Sequence, residues 1–168
     1  MNKLIIFVII LIAAFSRLIP HPPNFTPIIA IGLFGGAYLK DNRLALLIPL
    51  FGMLFSDLIL GFHGMMLWVY LSLTFITFIG IWMKNRVNFI NCTVSVLSGS
   101  LLFFLISNFG VWFMGGYEQS ILGLISCYTM AIPFLNNTLI GSAVYGVIMF
   151  GGYEGLKYFL QDSLLDSI

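Results

Sequence analysis

Long apolar runs, broken by short polar or proline-containing stretches, constrain this chain more than any other feature of its sequence. A helix crosses a bilayer with about 20 apolar residues, roughly 17 to 25, and runs of that order recur from one end of the chain to the other. Charge is scarce to match. Among 168 residues there are 7 Lys or Arg and 6 Asp or Glu, so 8% are charged where a soluble globular chain has about 25%. A water-soluble fold of this composition would expose apolar patches far beyond the few hundred Å² that soluble monomers carry. Disorder is excluded for the opposite reason, an excess of apolar side chains. A net charge of +1 excludes nucleic acid, whose phosphates need a basic face. The implied solvent is a lipid bilayer.

The runs fall at 4–19, 27–39, 44–62, 65–83, 87–107 and 137–160. They predict an all-α, polytopic membrane protein with six transmembrane helices in a single domain. Pro49 falls inside the third run, where a kink is expected. Between the fifth and sixth lies 120–135, apolar but interrupted by Pro133. It reads as a short interfacial or re-entrant helix before the last span, with a seventh span as the alternative. With six spans and the N-terminus inside, Lys3, Lys40, Arg43, Lys84, Arg86 and Lys157 gather on the inner face and Arg17 on the outer. That is a positive-inside pattern, with both termini cytoplasmic at the inner (plasma) membrane. The first fifteen residues also resemble a signal peptide, but cleavage there would break the charge pattern, so an uncleaved first span is preferred. Trp68 and Trp112 mark the outer interface, Tyr38 and Trp82 the inner. Gly32 with Gly36, and Ser95 with Gly99, are spaced for close helix contact. Gly-Gly-Tyr-Glu occurs at 115–118 and 151–154, too little to establish a repeat.

The polar residues other than lysine collect toward the outer side. Asp57 is the most informative. A carboxylate at mid-span costs about 2.5–3.5 kcal/mol on insertion scales, so it needs a partner or a wet cavity. It lies about 8 Å below the outer end of its run at 1.5 Å per residue, and Arg17 is the expected partner. That pair either pins the first and third helices or lines a binding site. His21, within Pro20-His21-Pro22-Pro23-Asn24, sits on a stiff segment that cannot be helical. His63 lies between Gly61 and Gly64 as an interfacial cap. Asn108 and Asn137 are amides able to bond across helices or to a ligand, and Trp112 and Tyr128 offer stacking surfaces. The expected ligand-binding set is therefore Arg17, His21, Asn24, Asp57, His63, Asn108, Trp112, Tyr128 and Asn137. Cys92 and Cys127 lack metal-ligand spacing, and neither a metal nor a cofactor is expected. Ser56, Ser107 and Cys127 have no base at a recognisable spacing, and no enzyme activity is expected.

The run from Arg17 to Pro27, followed by Phe34-Gly35-Gly36-Ala37, resembles the opening of a family of small bacterial integral membrane proteins of unknown function. Ser56-Asp57 with Gly61 and His63, Ser107-Asn108 with Trp112, Cys127-Tyr128, Pro133-Phe134, Asn137-Thr138 and Gly141 extend the likeness over nearly the whole chain. Ser142 stands where an acidic residue often follows that glycine in the family. In size, span number and outward polar cluster the chain also resembles the substrate-binding S components of energy-coupling-factor transporters. Their docking pattern of two alanines four apart is not matched by the adjacent Ala13 and Ala14. The resemblance implies a small-solute binding or uptake component with an outward-facing pocket, whose partners are the bilayer, a small-molecule ligand and energising transporter subunits. The alternative is a structural or assembly protein of the cell envelope that meets a protein partner.

Overall fold

The computed structural model describes residues 3–165, and among these every regular element is a helix, with no strand. The chain runs α1 (Lys3–Phe15), α2 (Ile28–Tyr38), α3 (Asn42–Leu60), α4 (Met66–Trp82), α5 (Phe89–Val111), α6 (Ile121–Gly146) and α7 (Gly152–Leu165). The termini themselves, residues 1–2 and 166–168, lie outside the described residues. Helix boundaries have local causes. Asp41 caps α3, its carboxylate accepting from Arg43 N–H at 2.8 Å, and Gly61 ends it at φ 93°, a left-handed value that suits glycine. Asn88 and Ser120 cap α5 and α6 in the same way, each accepting from a backbone N–H three residues on.

One expectation changes, and one open question closes. The segment 120–135 is not a separate helix, because α6 passes through Pro133 and continues through a wide turn, Val147–Gly151, into α7. A proline removes one helix hydrogen bond, whereas ending the helix there would orphan a whole turn of carbonyls among apolar neighbours. The two Gly-Gly-Tyr-Glu segments also differ. The first forms the turn after α5, with Gly115 at φ 83°; the second lies inside the continuous α6–α7 helix. They are not structural repeats.

Among the described residues three helices, Asn42–Leu60, Phe89–Gly116 and Ile121–Leu160, are long and apolar enough to cross a membrane, and α2 and α4 are shorter apolar helices. Their outward faces carry large exposed apolar side chains, such as Phe51 and Phe55 on α3, Phe75 and Phe78 on α4, and Leu101 and Leu105 on α5.

The centre of the body is α2. Its residues 28–37 are all buried, and α1, α3, α4, α5 and α6 pack around it. A helix apolar on every side has this fate. Glycine makes the enclosure tight. A Cβ on Gly36 would lie 2.5 Å from Thr77 O, and one on Gly80 would lie 2.5 Å from Leu33 O, so α2 and α4 touch backbone to backbone. On another side, Pro49 of α3 fills the space over Gly35, where a Cβ would meet its ring at 2.6 Å. Gly36→Ala or Gly80→Ala should therefore destabilise the body by about 1–3 kcal/mol, read as a lower melting temperature of the detergent-purified protein. Gly151→Ala, with nothing within 4 Å of its Cβ, should leave the melt unchanged or raise it.

Candidate functional site

The buried ion pair that the sequence suggests is present. Arg17 lies in a single 3₁₀ turn, Ser16–Leu18, that closes α1. One of its guanidinium nitrogens, Nη1, donates to Asp57 Oδ1 at 2.7 Å and to Ser56 Oγ at 2.5 Å. The other carboxylate oxygen, Oδ2, accepts from Tyr70 OH at 2.8 Å. Ser56 Oγ in turn donates to Met53 O at 2.8 Å. Asp57 is 1% exposed and the Arg17 side chain 10%. Three helices, α1, α3 and α4, are thus joined at one carboxylate, and both of its oxygens are held.

Next to this network the chain leaves α1 and crosses to α2 as a non-helical, proline-rich segment. A turn closed by Phe25 N–H to Pro22 O at 3.0 Å places Asn24 at φ 63°, a left-handed conformation that asparagine tolerates better than most residues. The segment is tied to α6. Asn137 Nδ2 donates to Pro23 O at 3.0 Å, and Phe25 lies over Gly141, where a Cβ would come within 3.0 Å of Phe25 Cα. Tyr145 completes the seam, its hydroxyl 2.9 Å from Ser16 Oγ and its ring 6.1 Å from that of Phe25.

The remaining expected residues sit apart from the ion pair in their bonding. His21 and His63 are exposed; His21 Nδ1 is 3.1 Å from Pro22 O, and the His63 carbonyl accepts from Met66 N–H at 3.1 Å. Asn108 Nδ2 donates within its own helix to Phe104 O at 2.8 Å. Tyr128 OH donates across to Leu105 O at 2.7 Å, beside Cys127 Sγ, which lies 3.3 Å from Asn108 O. Trp112 Nε1 donates to Glu118 O at 3.0 Å and closes the α5–α6 turn. Tyr128, Cys127 and Trp112 thus stitch α5 to α6 and the turn before it, whereas the two histidines lie in the links before α2 and α4. No three His, Cys, Asp or Glu side chains converge on a metal position among the described residues.

Two features lie beyond the expected set. Tyr70 has no sequence signal beyond its place one turn into α4. The second is at the other end of α3, about 22 Å from Asp57 at 1.5 Å per residue. There Lys84 Nζ donates to Lys40 O at 3.1 Å and Asn42 Oδ1 at 2.6 Å. Tyr38 OH donates to Glu154 Oε1 at 2.5 Å, and Lys157 Nζ to Glu154 Oε2 at 2.8 Å. A cavity of about 1490 Å³ opens here between α2, α5 and the α6–α7 helix, and none of the nine expected residues lines it.

The architecture is a body of apolar helices packed around a buried central one, with polar networks at both ends. The chain belongs to a family of unknown function, DUF6580, whose profile matches residues 1–163. No curated protein and no solved structure matches it.

The ion-pair geometry makes a quantitative prediction. Arg17→Ala or Asp57→Asn should cost about 3–5 kcal/mol of stability, since each strands a buried partner. Tyr70→Phe should cost about 1.5–3 kcal/mol, the range for a bond to a charged group. The triple change Arg17→Met, Asp57→Leu and Tyr70→Phe, which replaces every partner of the carboxylate by an apolar group, should be close to neutral. Chemical denaturation in mild detergent checks all three.

Proposed function

We propose that this chain is a membrane-embedded small-solute binding or uptake component, similar in plan to transporter S components. Its solute is received at the Arg17–Asp57 end. The observation that carries this reading is the pairing, at one end of the body, of a buried charged network with a non-helical segment. That segment is held to α6 by one hydrogen bond, donated by the Asn137 amide, and by the contacts of Phe25 with Gly141 and Tyr145. Charged groups inside an apolar body mark functional positions by default, and loops on a rigid scaffold commonly carry binding residues. In this reading Asn24, Asn137 and His21 meet the solute first, and Arg17 with Asp57 supplies charge beneath them. The concentration of Lys and Arg at the opposite end supports a cytoplasmic placement of that end and, in this reading, an outward-facing proline-rich segment.

A second reading has its own observation. Every polar atom of the Arg17–Asp57–Tyr70 network named above has a partner, as suits a helix pin in an envelope structural or assembly protein.

A thermal-shift screen of the purified protein against vitamins, amino acids and metal ions separates the two. Solute binding predicts a saturable rise in melting temperature for one chemical class. It also predicts at least a tenfold weaker apparent affinity, about 1.4 kcal/mol, in Asn137→Ala and His21→Ala, whose side chains lie outside the ion pair. A screen without any shift, with a single protein crosslinked from Tyr117, favours the structural role.

A further inference from the structure

The cavity at the basic end has a composition that the solute reading leaves unused. Its walls are apolar: Val96 and Leu97 from α5, Leu139, Ala143 and Val147 from the α6–α7 helix. Phe89, Leu97, Ile140 and Val147 line it and are also exposed on the outside of the body, at 86%, 53%, 57% and 74%. The cavity therefore opens sideways, towards whatever surrounds the helices. On α5 it extends from Asn88 to Leu97, about 13 Å along the helix axis, close to half of a hydrocarbon core about 30 Å thick.

Its rim is basic. Lys40, Lys84 and Lys157 reach it with one acid, Glu154. Glu154 is already held by Lys157 and by Tyr38 OH. Lys84 bonds a carbonyl and an amide oxygen, both neutral, so among the described residues no carboxylate cancels its charge by contact. Burial also pulls its pKa below that of a free lysine, opposed by the Asp41 carboxylate, and an anion at the rim would reverse that shift.

We propose that this groove is a binding site for one anionic phospholipid of the cytoplasmic leaflet, with acyl chain along α5 and α6 and phosphate at Lys40 and Lys84. Basic pockets between helices on the cytoplasmic side select anionic headgroups, and the length of the groove fits one leaflet. The inference rests on the bilayer placement and is independent of the solute site at the other end.

The test uses the full chain in nanodiscs of phosphatidylcholine with a minority of phosphatidylglycerol, followed by release into mild detergent and native mass spectrometry. Retention of one phosphatidylglycerol in preference to phosphatidylcholine is the expected result. Each of Lys40→Ala and Lys84→Gln should lower that preference roughly fivefold, as about 1 kcal/mol per lysine requires. Ala143→Trp, which fills the exposed groove without entering the core, should abolish retention of either lipid there. Lys40 is exposed, so its variant remains informative if Lys84→Gln fails to fold. Equal retention of both lipids, retention unchanged by Ala143→Trp, or competition by inorganic phosphate alone would each overturn the proposal.

Discussion

The burial of α2 is the constraint on which the rest depends. Its sequence, Ile28–Tyr38, has no polar face to give to solvent, so the other helices must surround it. At 11 residues it reaches only about 16 Å, and the chain on either side must make up the distance without helix. The proline-rich segment does so on one side and the short link through Lys40 on the other. Gly32, Gly36 and Gly80 bring α4 close enough to seal one flank. Gly99 does the same on α5, where a Cβ would meet Ile29 at 3.0 Å. Small residues perform this function wherever helices associate without water to drive them together.

Around that core the two ends follow one chemical plan with different solvent exposure. Asp57 is held by Arg17 on one oxygen and Tyr70 on the other; Glu154 is held by Lys157 and Tyr38. Each clamp joins distant segments: α1, α3 and α4 in the first, α2 and α7 in the second. The Asp57 pair is almost wholly buried, while the Glu154 and Lys157 side chains are 44% and 39% exposed. Solvent screens the second pair, which adds little stability on its own. Its role is positional, fixing the end of α2 against the wall of the basic groove.

Much of this was legible in the sequence because scarcity makes a signal. With so few charges, an aspartate inside an apolar run demands a cation, and Arg17 was the candidate at the right depth. The spacing of Gly32 and Gly36 likewise announced a close helix contact. Tyr70 was hidden, since a tyrosine in a chain with 16% aromatic residues carries no pattern, and only the register of α3 against α4 brings it to Asp57. Pro133 misled for a physical reason: a proline is a strong break in water and a weak one where neighbouring apolar helices hold the segment. The expected site residues were read by their shared end of the chain's topology. Bonding divides them instead between the ion pair, the proline-rich segment, the α3–α4 link that holds His63 and the α5–α6 seam, because amide and hydroxyl groups among apolar helices satisfy themselves on the nearest carbonyl. The basic groove was not legible at all, as its walls are ordinary apolar residues and its lysines read as loop charges.

The central proposal is a body enclosing α2 within the bilayer, with its proline-rich end outside and its lysine end in the cytoplasm. Single cysteines at Asn24 and Asn85, placed in a Cys92→Ser, Cys127→Ser background and probed on intact cells with a membrane-impermeant maleimide, test it directly. The account predicts that position 24 is labelled from outside and that position 85 reacts only after the membrane is opened. Labelling of position 85 on intact cells, with position 24 protected, would contradict it.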